Sequence, residues 1–163
     1  MNVGAASGTD ARALLDPDSP VRGHYEDLAG RLLSLRGVRS VVVTRPAPGA
    51  GRTSVCVGLA GAVAGMGRRA GVVDCNLGDP QLHRVLGEPN FVGLTSGLEG
   101  DRPLEHYGHE VAPGLLVVPT GPVPATAPAR PTQTLVRPAP GSGLVTTTLR
   151  TPGRESSRPA RSS

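Results

Sequence analysis

The segment Pro48-Gly49-Ala50-Gly51-Arg52-Thr53-Ser54 carries the residue types best suited to hold a phosphate. Gly49 and Gly51 allow backbone conformations that other residues avoid, and they let an anion approach the main chain closely. Successive N–H groups at a helix start form an anion-binding concavity, reinforced by the helix dipole. Arg52 adds positive charge, and the Thr53 hydroxyl is placed to ligate Mg²⁺ as Ser or Thr does in phosphate loops. Asp74 closes the apolar run Ala70 to Val73. There it would hold a metal's water shell or orient a nucleophile. Against the strict pattern G-x-x-x-x-G-K-[ST], Pro46 stands at the first Gly and Arg52 at the Lys. Taken alone, a plain Gly-rich turn is therefore an equal alternative.

These residues need elements to hold them. Val21, Tyr25, Leu28, Leu32 and Leu35 recur at steps of four, three, four and three, which predicts a helix after a Ser19 cap and Pro20, stopped at Gly37. Val38 to Thr44 predicts a buried strand. Thr53 to Met66, apolar on all sides and rich in Ala and Gly, predicts a helix buried against a sheet. Ala70 to Asp74 predicts a second strand, Leu82–Leu86 and Leu94–Leu98 short helices, and Leu115 to Thr120 a third strand. Alternating strands and helices give an α/β fold: a partial phosphate-loop parallel sheet of about three strands with flanking helices. In such sheets ligands sit beyond the carboxyl ends of the strands, where the loop after Thr44, Asp74 and Thr120 all fall.

Composition limits how much of the chain can fold. Gly and Pro make up 40 of 163 residues, at the edge of low-complexity composition, and Lys, Ile and Trp are absent. The net charge of +4 is uneven: residues 1–125 sum to −1 and residues 126–163 to +5. The expected organisation is a loose segment at 1–18, one domain at 19–124 and a disordered Arg/Pro-rich tail at 125–163. The tail lacks the aromatic platform that nucleic-acid binding calls for, so no nucleic-acid partner is expected. No apolar run approaches the length of a membrane span, and no signal peptide is read. Two cysteines make no disulfide framework, which fits a cytoplasmic chain.

Other residues carry weaker signals. His106 and His109 have a spacing found in metal sites, but no Cys or carboxylate cluster completes a ligand set, and a surface loop is the commoner reading. Cys56 and Cys75 lie near the proposed pocket, where a small buried apolar role is commoner than redox sensing. Tyr25 falls on an apolar stripe, which favours packing over modification. His83 and Arg84, on a predicted exposed helix face, receive no role.

Leu28 to Pro124 resembles the catalytic domain of bacterial tyrosine autokinases of capsule and exopolysaccharide synthesis, members of the wider deviant-phosphate-loop ATPases. The matching stretches are L-R-G-V-R-S-V-V-V-T-R-P-A-P-G-A-G-R-T-S, G-R-R-A-G-V-V-D-C-N-L-G-D-P-Q-L-H-R-V-L-G-E-P-N, G-L-T-S-G-L-E-G and P-G-L-L-V-V-P-T-G-P-V-P. The resemblance implies ATP and Mg²⁺ as cofactors and phosphoryl transfer to tyrosine, with control of polysaccharide chain length beside a membrane co-polymerase. It assigns Gly49, Ala50, Gly51, Arg52, Thr53 and Ser54 to the phosphates, Thr53 and Asp74 to the metal, and Arg52 and Asp74 to catalysis.

Departures from the family pattern are as informative. Its loop lysine falls on Arg52, a planar fork instead of a compact charge. The second Asp of its D-x-D falls on Asn76, and the Arg that follows falls on Gly78. The Glu and two Arg of its ring-forming helix fall on Gly23, Glu26 and Ala29. No later aliphatic strand ends in Asp, and no tyrosine follows Tyr107. These departures imply impaired activity. The chain would sit in the cytoplasm, at the inner face of the plasma membrane only through a partner. A non-catalytic regulatory fragment docking on an intact kinase or co-polymerase is the alternative. A partitioning or division ATPase ranks below both, since that class carries a second loop lysine.

Overall fold

A computed structural model describes residues 11–36, 38–43 and 51–123, and the backbone of 144–148. The element order is a 3₁₀ turn at Ala11–Leu14, α1 (Arg22–Ser34), β1 (Ser40–Val43), α2 (Arg52–Gly65), β2 (Ala70–Asp74), α3 (Leu82–Leu86), α4 (Leu94–Glu99), a 3₁₀ turn at Leu104–Tyr107, β3 (His109–Ala112), β4 (Leu115–Val118) and β5 (Leu144–Thr148).

The α/β architecture is as expected, but the sheet has five strands among the described residues, not three. Their order is β1-β5-β2-β4-β3. β1, β5, β2 and β4 run parallel, with Ser40 opposite Val145, Ala70 opposite Leu144 and Ala70 opposite Leu115. β3 is antiparallel to β4 and carries a register shift between Glu110 and Ala112. Two departures from the expected organisation follow. Residues 144–148 lie in the expected tail, yet L-V-T-T-T takes an interior place between β1 and β2. Four of its five residues are β-branched, and that local preference suffices once strands on both sides offer a ladder. The rest of the expected tail lies outside the described residues. At the other end, residues expected to be loose are packed: Ala11 is fully buried, and Leu14 and Leu15 rest on the core.

α2 is the centre of the core. Cys56, Val57, Leu59, Ala60 and Val63 are at most 1% exposed, because the helix is covered by the sheet on one side and by α1 and the N-terminal turn on the other. Alternation along β2 and β4 sends Val72, Leu115 and Val117 toward α2. Val73 and Val118 go to the opposite face, where Leu94 and Leu104 cover them. A strand buried on both faces reads as a continuous apolar run, which is why both strands were legible.

α1 is rotated from expectation. It starts at Arg22 with Val21 as a cap residue that makes no side-chain bond. Val21, Leu28 and Leu35 are exposed, while Ala29 is fully buried and Tyr25, Leu32 and Leu33 pack on the core. The cause lies on α2, where Gly58, Gly61 and Gly65 form a groove. A Cβ on Gly58 would stand 2.5 Å from the Tyr25 ring. The bare helix surface at Gly58 and Gly65 makes room for the large Tyr25 and Arg22 side chains of α1, and that fixes which face of α1 turns inward. β1 is shorter than expected and half exposed, with Val42 at 52%, because it is an edge strand.

Candidate functional site

The carboxyl ends of β1, β2, β4 and β5 share one rim. At β1, Thr44 and the loop Arg45–Ala50, including Gly49 and Ala50, lie outside the described residues. The rest of the predicted cradle is described. Gly51 caps α2 with φ of 63°, a left-handed conformation that glycine adopts freely. The first helical bond runs from the Val55 N–H to the Gly51 carbonyl, 3.0 Å. The amides of Thr53 and Ser54 therefore precede the helical ladder and point out of the helix start. No acidic residue occupies this first turn. Arg52 is buried at 8% exposure, whereas Thr53 and Ser54 are half-buried. The helix start fits an anion: it combines main-chain donors, a left-handed glycine where a Cβ would meet no described residue within 4 Å beyond its chain neighbours, and no carboxylate in the first turn.

Asp74 ends β2 at 1% exposure. Its carboxylate accepts three main-chain N–H groups: Oδ1 from Asn76 at 3.0 Å, Oδ2 from Gln81 at 3.0 Å and from Leu82 at 2.9 Å. A carboxylate offers about four lone-pair positions, and these amides use three of them. Asp74 thus fixes the loop after β2 and starts α3, which leaves little capacity for a direct metal bond. Its role as a ligand fits less well than that of the Thr53 hydroxyl. Asn76, at 5% exposure, donates through Nδ2 to the Asp79 carbonyl, and its Oδ1 has no partner among the described residues. The position thus brings no second negative charge to the rim.

Thr120, expected at the rim, is fully buried and turned inward, its hydroxyl donating to Asn90 Oδ1 at 3.3 Å. The loop that follows β4 is clamped from the side by residues the sequence did not flag. Asn90 Oδ1 accepts the Gly121 N–H at 2.8 Å, and its Nδ2 donates to the Gly121 carbonyl at 3.2 Å. The Thr95 hydroxyl donates to the carbonyls of Thr120 and Pro122, each at 2.9 Å. These contacts join residues about 30 apart, and no local pattern announces them. His83 was also given no role. It follows Leu82 in α3, half-buried, and burial pushes its imidazole below its ordinary pKa, with Arg84 adding to the effect and Asp74 opposing it.

Neither cysteine is in a disulfide, and both are buried. Burial, with the Asp74 charge beside it, pushes the Cys75 thiol up to about 12. It is a protonated packing group at neutral pH. Burial, followed by Cys56, also raises Tyr25. His109 lies 3.0 Å from Glu88, which also pairs with Arg12. No group of three or more His, Cys, Asp or Glu that could hold a metal is found among the described residues. No helix among them is long and apolar enough to cross a membrane.

No family model matches the chain. Two curated proteins do. A protein of Ralstonia nicotianae (strain ATCC BAA-1114 / GMI1000), provisionally named tyrosine-protein kinase EpsB, is 37% identical over 103 residues, 63% of this chain and 13% of the relative. Its counterpart from Ralstonia solanacearum is 35% identical over the same length. The chain thus spans about an eighth of the length of these relatives. Among solved structures, the kinase domain of Escherichia coli tyrosine kinase ETK matches with a TM-score of 0.67 at 19% identity, covering 92% of this chain and 60% of that one. The chimerical protein CapA2B2 matches with a TM-score of 0.67 at 23% identity, covering 85% and 67%. The BceF tyrosine kinase domain gives 0.62 at 21%, covering 89% and 63%. Over 103 residues the chain is similar to these kinase-named relatives, and its fold is that of the bacterial tyrosine-kinase domains among the solved structures.

Proposed function

We propose that the chain is an ATP-binding domain of the exopolysaccharide tyrosine-autokinase type whose turnover is low or nil. The observation that carries this reading is the start of α2. Gly51 is left-handed, and the Thr53 and Ser54 amides face out at the carboxyl end of β1, with a cation and a hydroxyl in the same turn. Gly49, Ala50, Gly51 and Ser54 would cradle the phosphates and Arg52 would neutralise them. Thr53 would hold Mg²⁺, with Asp74 reaching its water shell. When bound, the ion supplies charge neutralisation on the transferring phosphoryl group. In the family reaction a tyrosine oxygen bonds to the γ-phosphorus, the bond from phosphorus to the bridging oxygen breaks, the phenol proton is released and ADP leaves. The chain's own residues position and neutralise; none of them forms a covalent bond.

Three features weaken catalysis here. Arg52 replaces a compact ammonium by a planar fork. Asn76 brings no charge. β5, the strand beside β2, places Thr148 opposite Asp74 and brings no carboxylate to the rim. Isothermal titration with Mg·ATP tests this. Wild type should bind weakly without measurable hydrolysis, and Arg52→Lys should bind about tenfold tighter, a change of about 1.4 kcal/mol. Failure of both proteins to bind would sink the nucleotide reading. Tight wild-type binding with hydrolysis would sink the claim of impairment.

A second reading is non-catalytic: a regulatory piece that docks on an intact kinase or on a membrane co-polymerase and so works in the cytoplasm at the inner membrane face. The engagement of Asp74 by three amides favours it, since that carboxylate is already occupied with structure. A division-type ATPase remains third, because the chain has no lysine.

A further inference from the structure

The opposite end of the sheet has a different chemistry. Four parallel strands begin there, and the two residues before each are Val38-Arg39, Arg68-Arg69, Pro113-Gly114 and Ser142-Gly143. They include three arginines and no carboxylate. β1 and β2 flank β5, with Ser40 and Gly71 both opposite Val145, so their starts lie about 10 Å apart, two strand spacings. Arg39, Arg68 and Arg69 are all exposed, and none has a carboxylate partner within ion-pair distance among the described residues. Arg36, also exposed, is three residues from Arg39.

These arginines are not needed to finish α2. Its last carbonyls are taken by the main chain: Met66 N–H bonds to Ala62 O at 3.1 Å, Gly67 N–H to Ala64 O at 2.9 Å and Arg68 N–H to Val63 O at 3.3 Å, with Gly67 left-handed. The nearby acids are occupied or peripheral. Glu26 pairs with Arg22 at 2.6 Å, and Glu110 accepts the Gly114 amide. Asp16, in the chain leading to α1, accepts the Asp18 amide at 2.9 Å. Beside the arginines stands Met66, 42% exposed. No aromatic side chain of the sequence adjoins them to stack a base. The other rim mixes both signs, with Arg52 and buried Asp74 near the helix start and Asp79 paired with Arg84 at 3.9 Å.

We propose that this end, Arg36, Arg39, Arg68 and Arg69 around Met66, docks on an anionic phospholipid surface and leaves the carboxyl rim facing away from the bilayer. Clustered arginines add attraction to anionic headgroups one by one, and an adjoining apolar side chain enters the interface. The proposal stands independently of nucleotide binding.

Co-sedimentation of the full chain with phosphatidylcholine vesicles, with and without phosphatidylglycerol, tests it. Binding should require phosphatidylglycerol and weaken as salt rises. Arg68→Ser/Arg69→Ser should lower the association constant by on the order of 30-fold, given roughly fivefold per arginine. Arg150→Ser/Arg154→Ser/Arg158→Ser/Arg161→Ser should leave most of the binding in place. Circular dichroism checks that each variant is folded, and Arg39→Ser serves if the double variant is not. Retention of wild-type binding by the patch variants overturns the proposal, as does equal binding to phosphatidylcholine alone. Tighter binding to duplex DNA than to the vesicles overturns it too.

Discussion

Asp74 shows how a residue chosen for its chemistry can prove to be held by structure. Its type and its place at a strand end were legible. What it does there was not, because its partners Gln81 and Leu82 lie seven and eight residues on, beyond a loop whose path the sequence does not state. An aspartate that gathers three amides is a stability element. Asp74→Asn should cost about 1–3 kcal/mol, because the amide NH₂ cannot accept and at least one main-chain N–H is left unpaired. Urea unfolding measures this; unchanged stability would mean the carboxylate matters only to a ligand. Cys75 makes a pH-dependent prediction. Its folded pKa of about 12 lies above its ordinary 9.0, so the protonated thiol belongs to the native state. The associated stability is complete below pH 9 and falls as pH rises from 9 toward 12. Cys75→Ala should flatten that part of the curve of urea midpoint against pH, and a curve of wild-type shape would refute the assignment.

At the scale of elements, periodic apolar segments announced themselves. α2, β2 and β4 lie close to where their residues predict them, and even the five-residue α3 is marked by Leu82, Val85 and Leu86. β3 was missed because H-E-V-A has no clear alternation and is defined by pairing with β4. The rotation of α1 was missed because it depends on what α2 presents, a groove of glycines, and not on α1 itself. Close approach also governs α4. Gly93 has an extended φ that any residue adopts, but a Cβ there would meet the Pro119 carbonyl oxygen at 2.2 Å and the Gly121 nitrogen at 2.4 Å, both main chain. Gly93→Ala should therefore push α4 off the β4 loop and break the Leu94 N–H bond to Pro119. The expected cost is about 1–3 kcal/mol, typical of overpacking. Gly58→Ala should cost less, because the Tyr25 ring is a side chain that can move and alanine is the better helix former by about 1 kcal/mol. Thermal melts of the two variants decide the order, and a Gly58→Ala protein less stable than Gly93→Ala would contradict it.

For the molecule as a whole, β5 is the decisive element. Composition placed residues 144–148 in a tail too poor in apolar area to fold, and by area alone that holds. What composition cannot register is that a strand's hydrogen bonds come from its neighbours. Leu144 to Thr148 pairs with Ala70 to Asp74 on one side and, through Val145 to Thr148, with Ser40 to Val43 on the other. Among the described residues β1 has no other strand neighbour, so without β5 it loses its ladder, and α2 loses part of the surface it covers. The central position makes Thr146→Pro a sharp test, since proline removes a donor from a strand paired on both sides, where it is almost never tolerated. The substitution should lower stability by about 3 kcal/mol or more, and a chain ending at Gly143 should lose cooperative melting altogether. Differential scanning calorimetry of both chains reads this directly. A truncated chain that melts as sharply as the full one would show that β1, β2 and β4 hold together without the strand between them.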